Sequence, residues 1–225
     1  MFFSIALDGP SGAGKSTLAR ALAASLSFIY MDTGALYRTV GYLAFLNHIP
    51  PTDAPAVTAA LSSARVEIRF LDGSQHAFLN DTDVSDEIRL PEMSRYASLV
   101  SAIPEVRTLL LKPQRDFAAS HNVIMDGRDI GTVVLPDATV KIFLTASPEE
   151  RAARRFLELR QRGTPQSYES VLADILERDA RDSTRAVAPL KKAPDAITVD
   201  TTGLTFEQSY QKLYTIIQQK LAPFQ

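Results

Sequence analysis

Residues 2–17 read FFSIALDGPSGAGKST: an apolar run halted by Asp8, then three glycines within six positions, then Lys15, Ser16 and Thr17. A run that apolar, over residues 2–7, reads as a strand covered on both faces, as strands of parallel sheets are. The next eight residues, Gly9, Pro10, Ser11, Gly12, Ala13, Gly14, Lys15 and Ser16, fit the phosphate-binding pattern G-x-x-x-x-G-K-[ST]. The glycines let successive backbone N–H groups turn inward around an anion. The helix behind them, expected from about Lys15 to Leu26, aims its positive dipole end at the same place. Lys15 adds a full charge for nucleotide β and γ phosphates, and Ser16 is placed to ligate the Mg²⁺ that travels with them.

Composition narrows the classes around this loop. The 225 residues, 45% hydrophobic and 22% charged, suffice for one domain with a smaller insert. A net charge of -2 offers no broad attraction to nucleic acid or an anionic membrane, so any anion must be held by a local cluster. Without cysteine there are no disulfides or thiolate sites, and His48, His76 and His121 are too far apart for a ligand motif. The opening apolar run lacks a basic leader and meets Asp8 too soon for a signal peptide. No apolar stretch reaches the ~18 residues of a membrane helix. A cytoplasmic protein with no membrane or nucleic-acid partner is expected.

Farther along, FIYM leads to Asp32, VIMD ends at Asp126, VKIFL ends at Leu144, and residues 196–199 form a shorter candidate strand. Helical spacing over residues 35–47 and behind the later strands makes the pattern strand-helix-strand. That predicts an α/β fold: a three-layer phosphate-binding-loop architecture, with a central parallel sheet flanked by helices and ligands at the strands' carboxyl ends. Between Val66 and Val84 the period changes. VEIRFL, HAFLN and TDV alternate around Asp72-Gly73 and Asn80-Asp81, the mark of a small antiparallel insert. Residues 52–63, with two prolines nearby and several alanines, read as a flexible connection into it.

None of the three asparagines opens an N-K-x-D base reader, which argues against a GTPase, and Asp126 is followed by Gly127 where a motor ATPase usually carries Asp-Glu. MDTGALYR, DGRDIGTVV and RDARDSTRAVAPL each place arginine beside carboxylates near an element end. With these three in order behind GPSGAGKST, the chain resembles the bacterial cytidylate kinases of the nucleoside monophosphate kinase superfamily, from Ile5 to about Ala222. Thr33 stands where serine is common there, and it keeps the hydroxyl. The resemblance implies one kinase domain over residues 1–225, with a monophosphate-binding insert at about 62–95 and a lid at about 148–164. It also implies transfer of a phosphoryl group from ATP, with Mg²⁺, to CMP or dCMP by a monomer.

The resemblance assigns residues as well. Gly9 to Thr17 bind ATP, with Lys15 catalytic. Arg38, aided by Thr33, grips the acceptor phosphate, for which a planar guanidinium fork is well shaped. Arg128 also goes to phosphate and Asp129 to cytosine. Cytosine shows an N4 amine beside N3 and O2 acceptors, so a carboxylate must meet the amine and donors such as Arg107 and Ser98 the acceptors. Arg178, Asp182 and Arg185 fall on one helical face. Taken alone they read as a solvated salt-bridged surface worth about 0.2–0.5 kcal/mol per pair. The resemblance gives Arg178 and Asp182 to the ribose and Arg185 to the acceptor phosphate.

EERAARRFLELRQRG carries Arg151, Arg154, Arg155, Arg160 and Arg162 in what resembles the lid. The first three are the candidates for neutralising the transferring phosphoryl group. No general base is needed, because a phosphate monoester's second pKa lies near ~6 and its oxygen is already ionised. Two other functions fit the same loop. One is a phosphate-loop kinase of another metabolite or of UMP; the other is a nucleotide sensor without turnover.

Overall fold

The computed structural model describes residues 2–161, 163 and 166–224. Two compact units emerge: the first holds the chain up to Tyr30 and again from Ser120, the second Met31–Ala119.

The first unit is built on β1 (Ser4–Asp8), whose Ile5, Ala6 and Leu7 are at most 1% exposed. Burial on both faces is why this stretch lacks polar alternation. β1 is the middle strand of a five-stranded sheet, with β2 (Ile29–Asp32), β6 (Val123–Gly127), β7 (Val140–Thr145) and β8 (Ile197–Asp200) in the order β2-β6-β1-β7-β8. β6, β1, β7 and β8 run parallel, with Ser4 beside Val123 and Ile5 beside Val140. The carboxyl end of β1 therefore lies between those of two parallel neighbours, where ligands of such sheets bind.

Helices α1 (Lys15–Leu26) and α8 (Phe206–Leu221) bury Leu18, Leu22, Leu213 and Ile217 in one core with Ile5, Leu7, Ile142 and Leu144. Thr205 and Gln208 start α8 with a reciprocal capping box. Helices α6 (Pro148–Gln161) and α7 (Tyr168–Thr184) pack on each other through Ala152, Leu159, Val171 and Ile175. The Phe156 and Tyr168 rings meet edge-on there at 6.2 Å. Arg162 and Thr164, within the expected lid, lie outside the described residues.

The second unit contains the antiparallel piece, β3 (Val66–Leu71), β4 (Ser74–Leu79) and β5 (Thr82–Asp83), paired in sequence order. Its first turn has positive φ at both Asp72 and Gly73, the geometry that the Asp-Gly pair favours. Around it stand α2 (Gly34–Leu46), α3 (Ala54–Ser62), α4 (Pro91–Val100) and α5 (Pro104–Ser120).

α3 corrects the expectation of a flexible connection at 52–63. Asp53 caps it by accepting from the Ala56 amide, and Pro55 sits in the first turn, where a helix tolerates it. The alanines that looked like linker are good helix formers once that start is made. α4 and α5 carried no sequence expectation, and α5 even contains Pro113 in its interior. Among the described residues, no helix is long and apolar enough to cross a membrane.

Candidate active site

In the first unit the site grows from the turn between β1 and α1. Gly9 has φ +152°, and a Cβ there would come within 1.9 Å of the Leu144 carbonyl oxygen, so glycine is obligatory. Gly12 lies under α6, where a Cβ would be 3.1 Å from that of Arg151. Lys15 is buried, and its Nζ donates to the Pro10 carbonyl at 2.7 Å, folding the side chain back over the loop. Burial, followed by the nearby Arg128 charge, drives the Lys15 pKa well below the ordinary lysine value. An anion in the loop would restore its charged form.

Ser16 Oγ donates to Asp126 Oδ2 at 2.7 Å, and Tyr30 donates to the other oxygen at 3.1 Å. Asp126 is buried at the end of β6. A serine hydroxyl beside a buried carboxylate is an all-oxygen donor pair, which suits a hard cation such as Mg²⁺. Among the described residues no group of three or more His, Asp or Glu could hold a metal alone, so phosphate oxygens would complete such a site.

After β6, residues 130–134 form one wide turn with i to i+5 bonding, Leu135 N donating to Ile130 O at 2.7 Å. Such turns recur at functional sites. Just ahead of it stand Arg128 and Asp129. Arg128 Nε donates to Asp182 at 2.9 Å, Arg178 Nε lies 3.8 Å from the same oxygen, and Arg185 Nη2 lies 3.7 Å from Asp129. The Asp182 and Arg185 side chains are 4% and 5% exposed, so this face of α7 is not the solvated surface that spacing alone suggested. Burial opposes ionisation of Asp182, but Arg128, then Arg178 and Arg185, hold its carboxyl below the usual range.

The three expected lid arginines divide. Arg151 is buried, donating through Nε to Ala146 O and through Nη1 to Ser11 O, with Nη2 2.7 Å from Asp179. It also lines a cavity of about 420 Å³ with Pro10, Phe143, Ser147 and Leu190. Arg154 reaches Thr201 and comes within 4.0 Å of where a Gly14 Cβ would be, while Arg155 pairs with Glu158.

In the second unit, Thr33 is buried at the head of α2, and its hydroxyl does not cap the helix. Arg38, one turn on, pairs with Asp32. Gln75 of β4 holds that aspartate by both backbone groups, accepting from its N–H at 2.8 Å and donating to its carbonyl at 3.0 Å. Ser98 on α4 and Arg107 on α5 are both buried. Arg107 Nη1 donates to Ser101 O, Ser101 Oγ donates to Ser98 O, and the Arg107 guanidinium lies 5.4 Å from the Tyr37 ring centre. Asp126, Gln75, Ser101 and Tyr37 were not singled out from sequence. Only Asp126 carried a local signal, as the residue that ends a buried strand.

A glycine-rich loop wrapped over a buried lysine, at the carboxyl end of a central parallel strand, defines a phosphate-binding-loop protein. A family model described as cytidylate kinase matches residues 5–219. The cytidylate kinase of Caldicellulosiruptor bescii is 51% identical over 210 residues, 93% of either chain. That of Carboxydothermus hydrogenoformans is 51% identical over 96% of this chain and 97% of its own. The chain belongs to the cytidylate kinase family. An uncharacterized protein from Eubacterium ventriosum shares the fold alone, with a TM-score of 0.52 at 11% identity over 96% of this chain and 98% of that one.

Proposed function

We propose that the chain moves the γ-phosphoryl group of ATP to CMP or dCMP, giving ADP and CDP or dCDP. The observation that carries this reading is the turn after β6 in a member of this family: its Ile130 and Gly131 amides donate to Asp8, the residue directly before the phosphate loop, each at 2.7 Å.

Residues 9–17 bind ATP. Ser16 and Asp126 would hold Mg²⁺, which would neutralise negative charge on the nucleotide's phosphates. Arg38, with Thr33, and Arg128 and Arg185 take the acceptor phosphate. An ionised oxygen of that phosphate attacks the γ phosphorus, the bond to the β-γ bridging oxygen breaks, and ADP leaves with its electron pair. Lys15 and the arginines hold the two phosphates in line and neutralise charge. The base is read by Asp129, Ser98 and Arg107, and the ribose by Arg178 and Asp182. Residues about 62–95 serve as the monophosphate-binding insert and about 148–164 as the lid. Arg154 and Arg155 would serve the γ phosphate directly, with Arg151 acting through the Ser11 carbonyl. The net charge of -2 supports a small-molecule enzyme over a nucleic-acid binder, and we read it as a cytoplasmic monomer.

Phosphorus NMR of ATP and Mg²⁺ with and without CMP tests the reaction. CDP and ADP should form together only when both substrates are present. Nucleotide binding without CMP-dependent ADP would mark a sensor instead.

Asp182 offers a separate check. Removing its charge leaves Arg128 short of its partner in a poorly solvated place, so Asp182→Asn should cost on the order of 3 kcal/mol and lower Tm by several degrees. KM for CMP should rise as well. Because the folded carboxyl sits below its usual range, its stabilising contribution is complete above that range and is lost as pH falls through the lowered value. Melting curves of both proteins from pH 7 downward should therefore converge in acid. A constant gap would assign the loss to packing.

A further inference from the structure

Arg151 is only 3% exposed, and its guanidinium is committed on three sides. Nε donates to Ala146 O at 2.9 Å, Nη1 donates to Ser11 O at 3.0 Å, and Nη2 lies 2.7 Å from Asp179 Oδ2. Ala146 follows β7, Ser11 lies in the phosphate loop and Asp179 is on α7, so three separate segments meet at one planar group. Asp179 follows Val171 and Ile175 at spacings of four, on the face of α7 that packs against α6. Its other oxygen, Oδ1, is buried and has no hydrogen-bond partner among the described residues, which leaves Arg151 as the partner this carboxylate serves. Asp182, three residues on, serves Arg128 and Arg178 instead.

A trans peptide holds its C=O and the following N–H on opposite sides of one plane. Drawing the Ser11 carbonyl to Arg151 therefore turns the Gly12 N–H the other way, away from α6. The approach there is close: a Cβ on Gly12 would lie 3.1 Å from that of Arg151 and 3.3 Å from the Arg151 carbonyl oxygen. We propose that Asp179 is a positioning residue for ATP: by anchoring the Arg151 guanidinium it fixes the Ser11–Gly12 peptide with its N–H set to donate to a nucleotide phosphate. That role rests on the reading of residues 9–17 as the ATP loop. Without Asp179 the buried guanidinium loses its counter-charge, and a buried cation is costly to leave unpaired. The side chain must then shift, and the peptide it holds shifts with it.

Asp179→Asn keeps the shape and one acceptor but removes the charge. Calorimetry of the full chain with ATP and Mg²⁺, without acceptor, should give a Kd about tenfold weaker than wild type, the scale of one lost hydrogen bond to a charged group. KM for ATP should rise likewise while KM for CMP changes little, a split that a general loss of packing would not produce. Asp179→Glu keeps the charge, and the cavity of about 420 Å³ that Arg151 and Asp179 both line has room for the added methylene, so ATP binding should return. In an Arg151→Met background, Asp179→Asn should weaken ATP no further, because the two residues act as one unit. Wild-type ATP affinity in Asp179→Asn, an equal rise in both KM values, or a further loss in the Arg151→Met background would overturn the proposal. If Asp179→Asn does not fold, the Gly12 amide proton of the wild type decides the matter by NMR. It should move downfield as ATP is added, and an amide that ATP leaves in place would overturn the proposal. A wild type that binds no ATP at all would instead overturn the phosphate-loop reading on which the proposal stands.

Discussion

Lys15→Ala is expected to fold and melt close to the wild type while losing about a hundredfold to a thousandfold in kcat, the scale set by removing one preorganised charge-stabilising donor. The loss should be catalytic and not structural, for a reason visible in the surroundings of the side chain. The ammonium is buried and its pKa is lowered by burial and then by Arg128, so its charge is disfavoured there; its hydrogen bond goes to a loop carbonyl. Deleting it gives up that bond and relieves the cost of burying the ammonium, two effects of opposite sign. Linkage gives an independent check. A lysine whose folded pKa lies below its unfolded value makes stability rise with pH between the two. Wild-type Tm should therefore gain on that of Lys15→Ala as pH increases through that window. A variant that turns over at near the wild-type rate would remove Lys15 from the mechanism.

The second large effect concerns the base. The wild type is expected to prefer CMP over UMP by at least about a hundredfold in kcat/KM, because uracil presents O4 where cytosine presents its amine, and a buried carboxylate is left facing an acceptor. Asp129→Ala should shrink that ratio, with the loss falling on CMP. UMP gains nothing from the carboxylate, so the two substrates converge instead of declining in parallel. Arg185, 3.7 Å away, is the group that could otherwise keep Asp129 for structure. Parallel decline, together with a lower Tm, would assign Asp129 to holding Arg185. Steady-state kinetics with both nucleotides at saturating ATP separate the two outcomes.

Whatever is local could be read from the chain before folding. The phosphate loop, its strand and its helix lie within residues 4–26, and the Asp-Gly turn of the insert declares itself in two residues. The partners that aim the site side chains are far away in the chain. Asp126 meets Ser16 across 110 residues, Asp8 meets Ile130 across 122, and Gln75 meets Asp32 across 43. Neither periodicity nor composition encodes such pairings, because they exist only once the sheet has ordered its strands. α3 misled for the opposite reason: prolines that mark a break in mid-helix are harmless in a first turn, and the decisive feature was the Asp53 cap. Arg151 shows the same limit within one helix. Spacing groups it with Arg154 and Arg155, but burial sets it against the Ser11 carbonyl.

Phosphorylation of a cytidine monophosphate is the activity on which every residue role above depends. It is tested most directly by kcat/KM of the wild type for CMP, dCMP, UMP and AMP, read as ADP release at saturating ATP and Mg²⁺. CMP and dCMP should be the good acceptors, UMP about a hundredfold poorer, and AMP poor as well. Equal use of CMP and AMP would rule out a cytidylate kinase.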